Sequence, residues 1–491
     1  MHMTQISTTK HHIYDIVIIG GGSSGICAAI KLKQAGFDNF IVLEQGGDVG
    51  GTWYWNQYPG AECDVQSHLY SFSFESNPNW SRPYAGQPEI LDYLKHCARK
   101  YQILEHVKLD TEVTKSSWSN DESHWSLSTR QGQVYRSRIF VSAIGMMNKI
   151  VWPAIEGRES FEGSFFHSAR WNHKIDVRNK NVGVIGLAAS AIQFIPEIAR
   201  TAKQLKLFQR TANWVVPKPN EPYSSEELQK FQEDESTLTE SRSQIYDQWN
   251  TLCTFNDKEV LNGLEKDGMT RIEEVEDTET RKKLTPNYPF GCKRPLFSDH
   301  YYPVFNRDNV ELITEPILSI SPRGVVISSK EVELDVIIYA TGFETTSFLN
   351  TIEVIGRKGM TLKKAWEDGA QAYLGVSTHG FPNMFMLYGP NTNQGSLLFM
   401  IEKQVEYLVK QIKRMTDEEF DWIELRKETM EAFNAELQKD LEAVEVFQAD
   451  CGNDFYYRSG PSGRMVTQWP YSMDAYRDAL ETSNSDIYET G

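Results

Sequence analysis

The sequence predicts an α/β protein with two Rossmann-like domains and a helical insertion. Three observations support this fold class. A strand pattern, a glycine-rich turn and a helical pattern follow one another from residue 16 to residue 35, and a similar succession recurs at residues 182–199. Between residues 223 and 284 the composition shifts to Glu, Lys, Gln, Ser and Asp, with helically spaced apolar residues and few glycines or prolines.

The first βαβ unit contains apolar strands at residues 16–19 and 40–43, and Glu44 follows the second strand. Its turn carries three glycines: Gly20, Gly22 and Gly25. The first glycine makes the tight turn, the second lets backbone N–H groups reach a pyrophosphate, and the third allows close helix packing. Glu44 stands where an acidic residue accepts hydrogen bonds from a ribose, so we predict a dinucleotide-binding site here.

The second unit departs from this pattern. Ala188 and Ala191 stand where the second and third glycines are expected after Gly186, and we expect the methyl group of Ala188 to displace a phosphate outward. Arg210 and Thr211 follow the next strand, at residues 205–208. A cation at that point accommodates a 2′-phosphate, whereas an acidic residue selects NAD, so the sequence favours NADPH.

The overall charge argues against polyanionic partners. With 50 Lys and Arg against 67 Asp and Glu, the 491-residue chain has a net charge of −17, and the sequence shows no basic patch. No apolar run approaches the ~18 residues that span a bilayer, and the N-terminal dozen residues lack a signal-peptide core. We expect a cytoplasmic protein with no membrane span and no nucleic-acid partner.

The cysteines are dispersed, without a C-x-x-C pair or a histidine at zinc-like spacing. The six are Cys27, Cys63, Cys97, Cys253, Cys292 and Cys451. We expect neither a disulfide framework nor a metal site, and we interpret each cysteine as a small buried hydrophobe.

Two aromatic-rich segments accompany the glycine turns. Residues 50–64 form a glycine-bounded loop with large aromatic side chains, which suits a platform beside a flat cofactor ring, although such loops also cap cores. Residues 161–172 contain His167 among aromatic side chains. A single histidine in such a setting is more often structural than an acid or base.

Together these segments resemble the type I Baeyer–Villiger monooxygenases, which are class B flavoprotein monooxygenases. The fingerprint of that family, F-x-G-x-x-x-H-x-x-x-W followed by Pro or Asp, is matched by Phe161, Gly163, His167 and Trp171, and it departs at Asn172. The second signature of the family, G-x-W followed by Y-P-G and Asp, resembles residues 51–64. Further matches occur at residues 208–211, 290–294, 340–343 and 388–391.

The resemblance implies an FAD domain built from both ends of the chain and an NADPH domain inserted into it. The implied segments are 1–147 and 385–491 for the FAD domain, 148–222 and 325–384 for the NADPH domain, and 223–324 for the helical insertion. The implied cofactor-binding residues are Gly20, Gly22, Gly25, Glu44, Thr52, Trp53, Asp64, Tyr70, Val113 and Asn391 for FAD, and Gly186, Ser190, Gln193, Arg210, Thr211 and Lys293 for NADPH.

The resemblance also implies a reaction. NADPH would reduce FAD, reduced FAD would bind O2 as a C4a-peroxyflavin, and one oxygen atom would be inserted next to a ketone carbonyl to give an ester or lactone. Arg294 matches the catalytic arginine of the family, and a guanidinium suits this role because it stays charged in a dry site. Asp64 matches the carboxylate that pairs with it, and His167 and Trp171 are assigned to domain coupling.

Two alternatives remain at this point. The departure at Asn172 leaves open the oxygenation of a sulfide or amine, as in the related flavin-containing monooxygenases. The altered second turn, with Ala188 and Ala191, leaves open a nucleotide-binding protein or an NADPH oxidase without productive oxygenation.

Overall fold

The computed structural model describes residues 12–448, 451 and 457–491. Most of the N-terminal dozen residues and part of the predicted C-terminal loop region, residues 452–456, lie outside the described residues. No helix in the described ranges is long and apolar enough to cross a membrane.

Helices and strands are numbered in chain order. The helices are α1 Ser23–Gln34, α2 Thr52–Trp55, α3 Gln87–Lys100, α4 Ala189–Ala199, α5 Ser225–Glu233, α6 Glu235–Leu252, α7 Lys258–Ile272, α8 Thr278–Leu284, α9 Leu362–Ala365, α10 Leu397–Asp417, α11 Lys427–Ala443 and α12 Met473–Glu481. The strands are β1 Ile13–Ile19, β2 Phe40–Leu43, β3 Val107–Lys108, β4 Val113–Ser119, β5 His124–Thr129, β6 Val134–Ser142, β7 Ser164–His167, β8 Asn181–Ile185, β9 Gln204–Phe208, β10 Val215–Val216, β11 Leu296–Phe297, β12 Val310–Ile313, β13 Ile317–Ser321, β14 Gly324–Ile327, β15 Glu331–Glu333, β16 Val336–Tyr339, β17 Glu353–Ile355, β18 Met384–Met386, β19 Ile423–Leu425, β20 Arg458–Ser459, β21 Arg464–Met465 and β22 Tyr488–Thr490.

The first large sheet has the order β17-β4-β5-β6-β1-β2-β3, and β18 pairs with β6. The apolar strand β1 lies in its centre, parallel to β2 and β6, because its side chains at residues 16–18 are fully buried. The following helix α1 carries small residues, including Cys27, Ala28 and Ala29, that have no exposed surface and let it pack closely. The first predicted βαβ unit is therefore confirmed.

The second large sheet is entirely parallel, with the order β12-β9-β8-β16-β7. Its β8-α4-β9 unit coincides with the second predicted unit, and β16 lies beside β8. Parallel strands with apolar side chains on both faces are expected where helices cover both faces of a sheet. The predicted fold class, α/β with two Rossmann-like units, is confirmed.

The strand pairing differs from the predicted segment boundaries at two places. The helices α5 to α8 end at Leu284, and β12, which falls within the predicted helical insertion, is an edge strand of the second sheet. Strand β17, predicted in the second part of the NADPH domain, pairs with β4 in the first sheet. Both strands are only three or four residues long, so their sheet is decided by hydrogen bonds to distant strands rather than by local composition.

Two helices, α10 and α11, follow the second sheet. The short strand β19 separates them and pairs antiparallel with β22 at the C-terminal end of the chain. The described part of residues 451–476 contains β20, β21 and the beginning of α12.

The interpretation of all six cysteines as isolated hydrophobes is wrong for two of them. Cys292 and Cys451 form a disulfide with an S–S distance of 2.11 Å. They are 159 residues apart, and only the fold brings their Cα atoms to 5.1 Å, so spacing in the sequence gave no sign of the pair.

Candidate active site

A cleft of about 710 Å³ lies between the two glycine turns. Gly20 and Gly22 of the first turn line one side, and Ser190 and Gln193 at the start of α4 line the other. The carboxyl ends of parallel strands, followed by helix N-termini, generate such a crevice in doubly wound folds. The cleft therefore lies where two dinucleotides could meet.

The first turn requires glycine for steric reasons. Gly20 has a φ of +106°, and a Cβ atom added there would lie 2.5 Å from the carbonyl oxygen of Ala143. A Cβ atom on Gly25 would lie 1.9 Å from the carbonyl oxygen of Gly20, although Gly25 itself does not line the cleft. The predicted division of labour is thus visible: Gly20 makes the turn and Gly25 allows α1 to approach it.

Glu44 closes the same turn from the adjacent strand. Its Oε2 accepts a hydrogen bond from the backbone N–H of Gly21 and its Oε1 accepts one from Gly46, both at 2.6 Å. Burial raises the pKa of Glu44, while these two backbone hydrogen bonds act in the opposite direction. Glu44 lines the cleft and is held in a fixed orientation there.

The second turn repeats this design with different residues. Gly186 has a φ of +94°, and a Cβ atom there would lie 2.6 Å from the carbonyl oxygen of Ala340, just as Gly20 abuts Ala143. Ala188 caps α4 with a φ of −100°, an extended conformation that L-residues adopt without strain. The alanine at this position is therefore compatible with the backbone of the turn, and Gly186 itself lies behind the cleft wall.

Two cations meet beside the second turn. Arg210 is exposed after β9, and Lys293 lies half-buried with its Nζ 4.5 Å from the ring centroid of Tyr288. Burial and the charge of Arg210 lower the pKa of Lys293. Thr211, next to Arg210, is half-buried, and neither of these two residues lines the cleft itself.

The predicted aromatic platform lines the cleft as expected. Thr52 and Trp53 begin the short helix α2, and the Trp53 Nε1 donates a hydrogen bond to the Tyr70 hydroxyl at 3.1 Å. Val113, at the start of β4, is buried and completes this wall. Asn391 does not line the cleft, because its side-chain amide donates to the carbonyl oxygens of residues 465 and 468 and so joins the C-terminal segment to the first sheet.

The two residues matched to the catalytic pair form an ion pair inside the cleft. The Arg294 Nη2 donates a hydrogen bond to the Asp64 Oδ2 at 2.7 Å. Their side chains are 37% and 13% exposed, so the arginine faces the cleft while the carboxylate lies deeper. The residues are 230 positions apart in sequence, and only the fold brings them together.

Two charged residues of this cluster were missed by the sequence interpretation. The Lys218 Nζ lies 2.8 Å from the Glu62 Oε1 and 3.2 Å from the Asp64 Oδ1, and the lysine side chain is 1% exposed. The Asn220 Nδ2 donates to the Glu62 Oε2 at 2.9 Å. The available signal was the position of Lys218 between two prolines after the apolar strand β10, which predicts a restricted backbone but not the burial of the charge.

The loop that carries Asp64 docks directly onto α4. The Gln193 Nε2 donates to the carbonyl oxygen of Glu62 at 3.0 Å, and the Tyr58 hydroxyl donates to the Gln193 Oε1 at 2.9 Å. Burial raises the pKa of Tyr58 to about 12. Gln193 was predicted to bind NADPH, and from its position on the cleft wall its amide group also joins the two nucleotide units.

The fingerprint segment lies at the edge of the second sheet. The His167 Nδ1 accepts a hydrogen bond from the backbone N–H of Ala169 at 3.1 Å, and burial together with the charge of Arg170 lowers the pKa of His167 to about 4. Trp171 packs against Phe194 of α4 at a ring-centroid distance of 5.2 Å. Both side chains make packing contacts, and neither lines the cleft.

Comparison with known proteins gives a consistent result. Residues 17–259 match the model of a family described as pyridine nucleotide-disulphide oxidoreductase. The chain is 40% identical to a Baeyer–Villiger monooxygenase of Pseudomonas aeruginosa over 96% of this chain and 90% of that protein, and 34% identical to one of Streptomyces coelicolor over 98% and 92%. A crystal structure of OTEMO in complex with FAD and NADP superposes with a TM-score of 0.88 at 30% identity, covering 98% of this chain and 100% of that one.

Proposed function

This chain belongs to the Baeyer–Villiger monooxygenases, a family of enzymes that depend on FAD and NADPH, and we propose that its substrate is an apolar ketone. One oxygen atom of O2 would be inserted next to the carbonyl group, giving an ester or lactone. The observation that carries this proposal is the ion pair of Arg294 and Asp64, which lies in the cleft between the two glycine turns.

The residues around the cleft fit the two cofactors. Gly20 and Gly22, with Thr52 and Trp53 beside them, would hold FAD at the end of β1, since the turn leaves no room for a Cβ atom at Gly20. Glu44 would face the ribose. The remaining predicted residues on this side are Gly25, Asp64, Tyr70, Val113 and Asn391.

The second turn would hold NADPH. Ser190 would face the pyrophosphate at the N-terminus of α4, where the helix dipole favours an anion, and Gly186 would contribute by shaping the turn. Arg210 and Lys293 lie close enough to lower the pKa of the lysine, and a 2′-phosphate between them would relieve that repulsion. Thr211 and Gln193 complete the proposed set. Because NADPH is regenerated in the cytoplasm, the cytoplasm is the proposed location.

When bound, FAD accepts hydride from NADPH and supplies the oxygen atom that it takes from O2. Arg294 would stabilise the negative charge that develops on the reacting oxygen atoms and on the substrate carbonyl oxygen. A guanidinium keeps its charge when it is desolvated, and Asp64 fixes its plane through the 2.7 Å hydrogen bond. The pair therefore provides a preorganised cation where the reaction needs one.

The substrate end of the cleft is apolar. Side chains from the helical insertion and from the segment before β11 line it: Trp249, Leu252, Cys253, Phe255, Leu264, Phe290 and Phe297. Of the charged residues that line the same cleft, Lys293 and Arg294 are assigned to the cofactor and to the reaction, so a charged substrate would lose its hydration against these apolar side chains without compensation. An uncharged ketone with an apolar body fits this wall best.

A ketone panel tests the proposed reaction. We expect purified holoenzyme with NADPH to convert at least one linear, cyclic or aryl ketone to an ester that carries one ¹⁸O atom from ¹⁸O2. Mass spectrometry of the product and the ratio of ester formed to NADPH consumed are the measurements. If every ketone fails while a sulfide or amine is oxygenated with tight coupling, the proposed substrate class is wrong.

Substitution of Arg294 tests the assigned role. We expect Arg294→Ala to retain FAD and to be reduced by NADPH, but to lose ester formation by about 10²- to 10³-fold, as when a preorganised charge is removed. Stopped-flow reduction and product analysis separate the two steps. Arg200→Ala, at an exposed arginine at the end of α4, is the matched control. Wild-type ester yield from Arg294→Ala would refute the role.

A further inference from the structure

We propose that Lys218 is a positioning residue that, balanced by Glu62, fixes the Asp64 carboxylate and through it the Arg294 guanidinium. This inference rests on the proposed function, in which Arg294 stabilises the negative charge of the reaction. It assigns a role to two charged residues that act on the reaction through Asp64 and Arg294.

The Lys218 side chain is buried among these charged residues. It is 1% exposed, and its Nζ lies 2.8 Å from the Glu62 Oε1 and 3.2 Å from the Asp64 Oδ1. The Nζ also lies 5.2 Å from the ring centroid of Tyr84. A buried ammonium group is costly unless it is paired, so the two carboxylates account for its presence in the cleft wall.

The backbone places the two cations at opposite ends of one short strand pair, just outside the strands themselves. Strands β10 and β11 pair in parallel, with Val215 opposite Leu296. Lys218 follows β10 by two residues and Arg294 precedes β11 by two residues. The backbone N–H of Lys218 also donates to the Asp299 Oδ1 at 3.0 Å, which fixes the turn after β10.

The Asp64 carboxylate is held from both sides as a result. Its Oδ1 contacts Lys218 and its Oδ2 accepts the hydrogen bond from Arg294. A carboxylate held by a single partner rotates about its terminal bond, whereas two partners on separate oxygens fix its plane. The position of the guanidinium therefore depends on the lysine as well as on the aspartate.

The charges of the cluster balance. Glu62 and Asp64 carry two negative charges and Lys218 and Arg294 carry two positive ones. Burial opposes the charge of Lys218, but Asp64 and Glu62 outweigh it and raise the pKa of the lysine. The four residues form a group without net charge, in which Arg294, Glu62 and Asp64 line the cleft and Lys218 is 1% exposed.

The other titratable groups around the cluster keep their protonation state near neutral pH. Burial raises the pKa of Tyr58, Cys63 and Tyr84 to about 12, and it raises the pKa of Tyr70 further. Two charged groups complete the surroundings: Asp299, which lies 3.7 Å from Arg271, and Lys293, which faces Arg210. A change of net charge at residues 62 and 218 should therefore reach Arg294 without compensation from these neighbours.

A double-substitution cycle tests the inference. Lys218→Met leaves one excess negative charge beside Arg294, Glu62→Gln leaves one excess positive charge, and the double variant restores the balance. A charge within about 4–6 Å shifts the pKa of an ionisable group by about one unit or more. The loss of a positive charge beside Asp64 and Arg294 therefore disfavours an anion that has to form in the cleft. We expect the acid limb of the pH profile for ketone oxygenation to move up by about one pH unit in Lys218→Met and down in Glu62→Gln, and to return in the double variant.

Further measurements separate positioning from general stability. On the acid limb, at a pH below its midpoint, we expect Lys218→Met to lose about tenfold in ester formation, the equivalent of one pH unit, while its NADPH-dependent flavin reduction and FAD content stay near wild type. Lys218→Arg should recover most of the ester yield because it keeps the charge. The melting temperature should fall in Lys218→Met, which leaves two half-buried carboxylates short of a partner, and recover in the double variant.

Every result of these measurements either supports or contradicts the positioning role of Lys218. An acid limb that stays in place in Lys218→Met while the melting temperature falls would mean that the lysine only stabilises the fold. If Lys218→Met does not retain FAD, Glu62→Gln and Lys218→Arg carry the test, and an unshifted or upward-shifted limb in Glu62→Gln overturns the inference. Wild-type enzyme that makes no ester from any ketone would contradict the proposed function instead.

Discussion

At the scale of single residues, the clearest cofactor signal is the pair of cations at the second turn. Arg210 is exposed after β9, and Lys293 comes from a segment more than 80 positions later in the sequence, yet each lies in the field of the other. Two positive charges that are close enough to lower a pKa repel each other, and an anion bound between them would remove this repulsion. NADPH carries one more phosphate group than NADH, and this pair is suited to it.

We therefore predict that Arg210→Ala raises KM for NADPH by about 10- to 100-fold, since a charge-assisted hydrogen bond contributes roughly 1.5–3 kcal/mol. KM for NADH should change little, because NADH has no 2′-phosphate. Steady-state kinetics with both cofactors measure the ratio. Arg200→Ala, which removes an exposed arginine paired with Glu197, should leave both values unchanged. Equal losses with both cofactors would contradict this role for Arg210.

At the scale of elements, the segment before β11, which contains Arg294, is joined to the C-terminal part of the chain. Cys292, two residues before Arg294, is bonded to Cys451, which follows α11. The Tyr457 hydroxyl donates to the carbonyl oxygen of Gly291 at 3.1 Å, so a second contact reinforces the same junction. The disulfide closes a loop of 159 residues, which restricts the unfolded chain considerably.

We predict that Cys451→Ser, or reduction with dithiothreitol, lowers the free energy of unfolding by about 2–4 kcal/mol. Thermal unfolding with and without reductant measures the change. The control is internal, because reductant should have no further effect on the Cys451→Ser variant. The disulfide would be contradicted if peptide mapping finds both thiols free in untreated protein. It would also be contradicted if reductant leaves the wild-type unfolding transition unchanged.

At the scale of the whole molecule, a neutral histidine joins the helical insertion to the first sheet domain. The His68 Nδ1 lies 2.8 Å from the Ser241 hydroxyl of α6, and its ring stacks on Tyr223 at 5.7 Å and meets the edge of Phe231 at 4.5 Å. Burial and the charge of Arg242 lower the pKa of His68 to about 4. The contact between these parts of the protein therefore requires an uncharged imidazole.

The sign of the pH dependence follows from that shift. Between about pH 6.5, the ordinary pKa of histidine, and about pH 4, the unfolded chain binds a proton at His68 that the folded protein does not. Stability contributed by this residue is thus complete above about pH 6.5 and is lost as the pH falls toward 4. His167, whose pKa is also lowered to about 4, acts in the same direction.

We predict that His68→Gln, which removes the titrating group, makes the unfolding free energy of the holoenzyme fall less steeply between pH 6.5 and 4. Denaturant unfolding at several pH values measures the slope. His300→Gln, at an exposed histidine after β11, serves as the control and should keep the wild-type slope. An unchanged slope in His68→Gln would show that the imidazole is not kept neutral in the folded state.

Local patterns in the sequence predicted the two nucleotide units well. The strands at residues 16–19, 40–43, 182–185 and 205–208 agree with β1, β2, β8 and β9 to within a few residues, because buried apolar runs bounded by glycine leave few other conformations. The predicted segments did not assign β12 and β17 to the sheets that they join. A short strand pairs with whichever sheet offers it hydrogen bonds, and this is not visible in local composition. The positions of Arg294 and Asp64 came from family resemblance, since nothing local links residues 230 positions apart.

By itself, the sequence determined the glycine turns, the acidic residue Glu44 after β2 and the cation Arg210 after β9, because each depends on backbone geometry within about 25 residues. Only the tertiary structure decided that Lys218 contacts both Glu62 and Asp64 beside Arg294, and that Cys292 is bonded to Cys451. The physical reason is that charge balance and disulfide geometry depend on distances across the folded chain. Burial, which makes a lone lysine costly and a paired one stable, exists only after the chain has folded.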